Sequence, residues 1–199
     1  MSHVKCLAAF AIAMCGLAPA VSAHVVIKDF EARAGYNEIL TLIVPHGCGA
    51  GPTTEIRVKV PDGITTVVPQ PQPGWETSLT RRKLDKPIAA EGGRMIADVP
   101  DEIVWKGGNL PSNQLGLFNI LANMPDKVGM RLYFKTVQKC ADGETKWIET
   151  IADSDEMWRV WLKPTPAPFV VLKAAPPQLG ADMATIMKAR KEMDANKPK

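Results

Sequence analysis

The sequence predicts an all-β sandwich followed by a short C-terminal helix, and three observations carry that expectation. Short runs rich in Val, Ile and Thr recur between Pro and Gly residues as far as about residue 172. Several of them alternate with period two, as Ile56, Val58 and Val60 do against Arg57 and Lys59, which marks a strand with one buried face. Beyond Leu172 the pattern changes to prolines and then to a helical stripe.

The first element is a leader. Residues 1–23 carry one early positive charge at Lys5, an apolar run from Cys6 to Val21, and the small-residue pattern Val21-Ser22-Ala23. This is the layout of a secretory signal peptide cut after Ala23. The apolar run is broken by Gly16 and Pro19 and falls short of the roughly 20 residues that span a bilayer. Cys15 invites a lipoprotein reading, but Met14 stands before it where a small residue belongs. Cleavage after Ala23 makes His24 the first residue of a mature chain of roughly 176 residues, the size of one domain with a tail. It also places that chain in the periplasm or outside the cell.

Strands are expected at 38–44, 54–60, 63–68, 76–80, 94–99, 102–105, 117–124, 129–137, 146–151 and 169–172. Many short strands with turn signals between them describe a β-sandwich. Pro69, Pro71 and Pro73 mark a connection that cannot enter a central ladder. Pro164, Pro166, Pro168, Pro176 and Pro177 mark a linker or edge. Residues 173–199 then hold a helix over 179–193, with Leu179, Met183, Ile186 and Met187 on its apolar stripe, and a disordered end. Methionines at that spacing are read as packing residues rather than Cu(I) ligands.

Composition excludes several functions. The hydrophobic share of 46% is that of a globular protein. The net charge of +3 loses one unit with Lys5, and the basic residues are scattered apart from Arg81-Arg82-Lys83, so no nucleic-acid footprint exists. No segment after the leader is apolar for long enough to cross a membrane. Nucleophile elbow, phosphate loop, His-Glu-x-x-His and Cys-x-x-Cys are all missing from the sequence.

Cysteine and histidine are scarce, which makes their positions informative. Cys6 and Cys15 leave with the leader, and Cys48 and Cys140 enter an oxidising compartment, where a disulfide is expected. The competing reading is a pair of soft ligands for Cu(I). The mature chain keeps two histidines, His24 and His46. A histidine at position one offers its α-amine and its imidazole Nδ1 together, closing a chelate that no internal histidine can form. The amine's ordinary pKa is about 7.7–8.0, so a metal displaces one proton at modest cost near neutrality. Cu(II) heads the stability order for such nitrogen donors. The competing reading is that the leader is cut before a histidine that does nothing.

His46 lies in Val44-Pro45-His46-Gly47-Cys48-Gly49, a loop after a strand. It either shapes the turn that carries the disulfide or serves as a ligand. Glu55 is a candidate oxygen donor, the alternative being a strand residue in water. Trp147 stands beside the turn Cys140–Glu144 and either shields a metal chelate or belongs to the core.

The runs His24-Val25-Val26, Ala34-Gly35-Tyr36, Val44-Pro45-His46-Gly47-Cys48, Pro52-Thr53-Thr54, Pro61-Asp62-Gly63, Pro69-Gln70-Pro71, Pro73-Gly74-Trp75, Trp105-Lys106-Gly107-Gly108 and Gln138-Lys139-Cys140-Ala141-Asp142-Gly143 resemble the YcnI-like family of exported bacterial proteins over residues 24–172. The resemblance implies an immunoglobulin-like or cupredoxin-like sandwich. It also implies Cu(II) held by a mono-histidine brace, made of an N-terminal amine and imidazole with a glutamate and a nearby tryptophan. Carried across, these roles fall on His24, on Glu55 and on Trp147. Some family members place the glutamate in the loop after Val-Pro, where this chain has His46 and Gly47, so His46 is a possible substitute.

Three functions follow from this reading. The first is a copper-binding protein, not an enzyme, working in copper acquisition, trafficking or delivery beside other copper chaperones or a transporter. The second is a histidine-brace copper oxidase of the lytic monooxygenase kind, which would need a second histidine. The third is a metal-free adhesion or assembly module on the same sandwich.

Overall fold

The computed structural model describes residues 24–89, 93–176 and 183–195. Residues 1–23, where a leader is expected, Leu179 of the expected helix and residues 196–199 lie outside the described residues. Among those described, twelve strands are arranged in three sheets.

The chain begins with β1 (Val26–Ile27) and β2 (Glu31–Arg33), followed by the alternating strand β3 (Asn37–Val44). Leu40, Leu42 and Val44 of β3 point to the core, and β1 runs antiparallel beside it with Val26 opposite Ile43. A four-stranded sheet forms in the order β1, β3, β8 (Gly116–Asn123) and β5 (Val67–Pro69). Pro69 sits on the edge strand of that sheet, where its missing N–H costs no ladder bond.

The facing sheet has five strands: β11 (Gly143–Trp147), β10 (Thr136–Cys140), β4 (Thr53–Lys59), β7 (Met95–Leu110) and β6 (Glu76–Ala89), in that order. A three-stranded sheet of β2, β12 (Phe169–Lys173) and β9 (Arg131–Tyr133) completes the barrel-like wrap, with β2 and β12 parallel. All three sheets contribute to one core, which includes Ile27, Leu42, Ile56, Trp105, Leu132 and Leu172. Each buried aliphatic side chain there contributes about 1.5–3 kcal/mol of burial free energy.

Several boundaries differ from the sequence expectation for physical reasons. The expected strand at 63–68 shrinks to β5, because Gly63 takes a positive φ of 95° in a turn. The strands expected at 94–99 and 102–105 are one strand, β7, since Pro100 lies beside a shift in the β6–β7 register and interrupts no regular ladder there. The run 129–137 divides into β9 and β10, which pair with different sheets. A 3-10 helix, Met157–Leu162, fills part of what was expected to be a connection. The C-terminal helix α1 spans Met183–Ala195, and its Ile186 and Met187 are exposed, so they do not pack as the stripe suggested.

Cys48 and Cys140 form a disulfide with Cα atoms 5.8 Å apart. It ties the loop after β3 to the end of β10, and so joins the two main sheets. Closing a loop of 92 residues stabilises the fold by about 4–5 kcal/mol in the chain-entropy model. Thiolate coordination by this pair is therefore excluded in the oxidised protein.

Candidate metal centre

His24 stands just before β1 and is partly exposed. Its imidazole has two indoles as ring neighbours. Trp147, the last residue of β11, meets it edge-on with ring centroids 5.8 Å apart, and Trp161 of the 3-10 helix lies parallel to it within 7° at 6.0 Å. Three distant parts of the chain therefore converge on the residue expected to begin the mature protein.

Each wall of this aromatic cage is held by its own element. Trp147 is 3% exposed, and its Nε1–H donates to Oε1 of Gln138 at 3.1 Å. Gln138 is itself fully buried on β10, and its Nε2 donates to the His46 carbonyl at 2.7 Å and to the Thr53 hydroxyl at 2.9 Å. One buried amide thus fixes the indole that faces His24 and the loop that carries His46. Such a group is tolerated inside because its polar atoms are paired. Trp161 is anchored differently. Val160 beside it is completely buried, while Trp161 contacts Phe30 and Phe169 at 5.5 and 5.9 Å between ring centroids.

The sequence pointed to Trp147 but missed Trp161. The signal was present in Trp158-Arg159-Val160-Trp161, because residues three apart eclipse one another on a 3-10 helix. Both tryptophans are exposed, at 53% and 41%, and a bare surface gives no reason for two such rings.

Glu55 is not brought to this group. The Glu55–Lys139 pair in the β4–β10 register lies on the outer side of the sheet, whereas the adjacent pair Ile56–Gln138 is buried on the inner side with Trp147. Arg57 hydrogen-bonds the Glu55 carboxylate, and Lys139 reaches it at 3.1 Å. Partial burial pushes this carboxyl up, but the hydrogen bonds from Arg57 and Lys139 outweigh it and hold the pKa below the ordinary carboxylate value. Glu55 is a strand residue neutralised by two cations, on the opposite face from the aromatic cage.

His46 is partly buried in the loop after β3. Its Nδ1 contacts the Gly47 carbonyl oxygen, and its Nε2 is buried without a hydrogen-bond partner. Among the described residues, no three His, Cys, Asp or Glu side chains cluster closely enough to hold a metal ion by themselves. The donor set that fits a cupric ion here is built of nitrogen. It comprises the His24 imidazole and the α-amine that cleavage would free beside it.

Comparison with known proteins agrees with the fold. The structure resembles the crystal structure of an uncharacterized protein from Nocardia farcinica with an immunoglobulin-like fold, with a TM-score of 0.56 at 19% identity over 76% of this chain and 99% of that one. This likeness establishes an immunoglobulin-like sandwich. In sequence, the chain is 32% identical over 112 residues to the copper-binding protein CutI of Bacillus subtilis (strain 168), a match covering 55% of this chain and 47% of CutI. The chain thus spans about half the length of that relative. A family model matches residues 24–172, nearly the whole sandwich, and on that match the chain belongs to the family described as a domain of unknown function, DUF1775.

Proposed function

We propose that this protein is exported, loses residues 1–23, and binds Cu(II) through a mono-histidine brace formed by the new α-amine and the imidazole of His24. The observation that carries the reading is the meeting of the His24 ring with those of Trp147 and Trp161 at the start of the sandwich. Copper binding in CutI supports the choice of metal.

The chemistry follows from the parts. The amine and Nδ1 of one residue close a six-membered ring on the ion without folding entropy beyond ordering a single side chain. Flanking indoles displace part of the water around the imidazole and lower the local dielectric, which strengthens the electrostatic share of the bond. Copper is cargo here and no turnover is required. A site at a chain terminus, with few protein ligands, suits acquisition and delivery to a second copper chaperone or a transporter in the periplasm.

The test compares Cu(II) titration of protein beginning at His24 with protein carrying one extra residue before it. The extra residue converts the amine to an amide and should weaken binding more than tenfold, at least about 1.4 kcal/mol. Equal affinities would remove the terminal amine from the site.

A further inference from the structure

We infer that the outer face of the four-stranded sheet of β1, β3, β8 and β5 is an interface between two copies of this chain, packed face to face about a two-fold axis. The inference is independent of the copper reading above.

The two main sheets differ in what they show to solvent. An antiparallel sheet of a sandwich turns one face to the core and covers the other with polar side chains. The five-stranded sheet does so, with Glu55, Arg57, Lys59, Glu102, Lys106 and Lys139 in ion pairs on its outer face. The four-stranded sheet does not. Its strands β3 and β8 carry apolar residues on both faces, and the outward ones meet in register, Ile39 opposite Leu121 and Ile43 opposite Leu117. Val68 extends the first of these bands onto β5, and Val26 extends the second onto β1. Ile39 is 67% exposed, Val68 56%, Leu117 47% and Leu121 42%, and no strand residue on this face is charged.

The polar residues beside these bands are already paired with one another. The Thr41 hydroxyl donates to Oδ1 of Asn119 at 2.7 Å, Nδ2 of Asn119 donates to Oε1 of Gln70 at 2.6 Å, and Nδ2 of Asn123 donates to Oδ1 of Asn37 at 3.1 Å. Covering the face therefore costs little in lost hydrogen bonds to water. A charged partner gains nothing there, whereas a second copy brings the same apolar bands. Stacked sheets lie nearly aligned and about 10 Å apart. A two-fold axis parallel to the strands, between β3 and β8, lays β3 of one copy over β8 of the other, so that each apolar band meets its counterpart. It also sets Lys28, which follows β1 beside Thr41 at the rim, over Gln70 beside Asn119; an axis across the strands would oppose two Lys28 side chains. Eight residues along β3 and β8, with four strands across, make a face of roughly 500 Å² per copy. That area supports a weak, concentration-dependent dimer rather than an obligate one.

The experiment uses protein beginning at His24. Sedimentation equilibrium should find single chains at about 1 µM and a growing share of dimer toward roughly 500 µM. Leu121→Lys should weaken association at least tenfold while the variant still melts cooperatively, because the pairing would bury an unmatched charge, and Leu117→Lys in the other band should do the same. Under mild oxidation, a mixture of Ile39→Cys and Leu121→Cys chains should join through a disulfide between them. Lys146→Cys, on the outer face of the other sheet, should not link chains. Single chains at every concentration would overturn the inference. So would a dimer that survives Leu121→Lys but is lost with Ile186→Lys, since the contact would then lie on α1. Single chains that adsorb to neutral lipid vesicles, and lose that adsorption with Leu121→Lys, would overturn it in favour of a membrane contact.

Discussion

At the scale of single residues, Gln138 and Glu55 show how neighbouring positions on one sheet take different tasks. Gln138 satisfies three groups at once, so Gln138→Leu should leave the Trp147 N–H and the His46 carbonyl unpaired in the interior and the Thr53 hydroxyl with only the Cys140 sulfur. A loss of about 2–4 kcal/mol in chemical denaturation is expected, together with a weaker copper site because one wall of the cage is released. Glu55→Gln should behave in the opposite way, leaving Cu(II) affinity within about twofold because the carboxylate lies on the far face. Its effect is on acid stability. Because the folded protein holds this carboxyl below its ordinary pKa, the stabilisation is complete above the ordinary carboxylate range and is lost as pH falls through and below it. The contribution is at most about 1 kcal/mol after solvent screening. Melting temperatures of the variant should therefore fall less steeply in acid than those of the unaltered protein; parallel curves would contradict the pairing.

At the scale of elements, the 3-10 helix matters more than its length suggests. It delivers Trp161 to His24, and Val160 is the buried residue that holds it down. Trp161→Ala should weaken Cu(II) binding by about threefold to tenfold, the worth of one aromatic contact, and should leave the melting transition nearly unchanged because the ring is 41% exposed. Unaltered affinity would show that the stacked ring is incidental. The sequence revealed the long alternating strands well, since period-two burial in β3 and β8 follows directly from one-sided packing. It concealed β1 and β2, which are only two and three residues long, and the 3-10 helix, whose local pattern resembles a loop. Trp147 could be singled out because a turn motif precedes it. The outward facing of Glu55 was legible as well, because it shares the parity of Arg57 and Lys59 against Ile56 and Val58, and in a strand that parity sets the face.

At the scale of the whole molecule, the sandwich serves as a clamp around the point where the mature chain would begin. The disulfide joins the end of β10 to the loop after β3, β11 returns beside β10 to bring Trp147 into place, and β1 runs along β3 toward the same corner. An immunoglobulin-like fold does not by itself specify metal binding. In this chain the His24 ring, two tryptophans, one buried glutamine and the backbone of His46 are linked at one end. The helix α1 lies outside that convergence, with Ile186, Met187 and Met193 exposed.

Native mass spectrometry of the protein recovered from the periplasm of copper-fed cells tests all of this in one measurement, because it reports the first residue and the metal content together. The expected species begins at His24 and carries one copper ion, which is lost from protein bearing His24→Ala. A chain that begins at any other residue, or one that begins at His24 and carries no copper, would contradict the account.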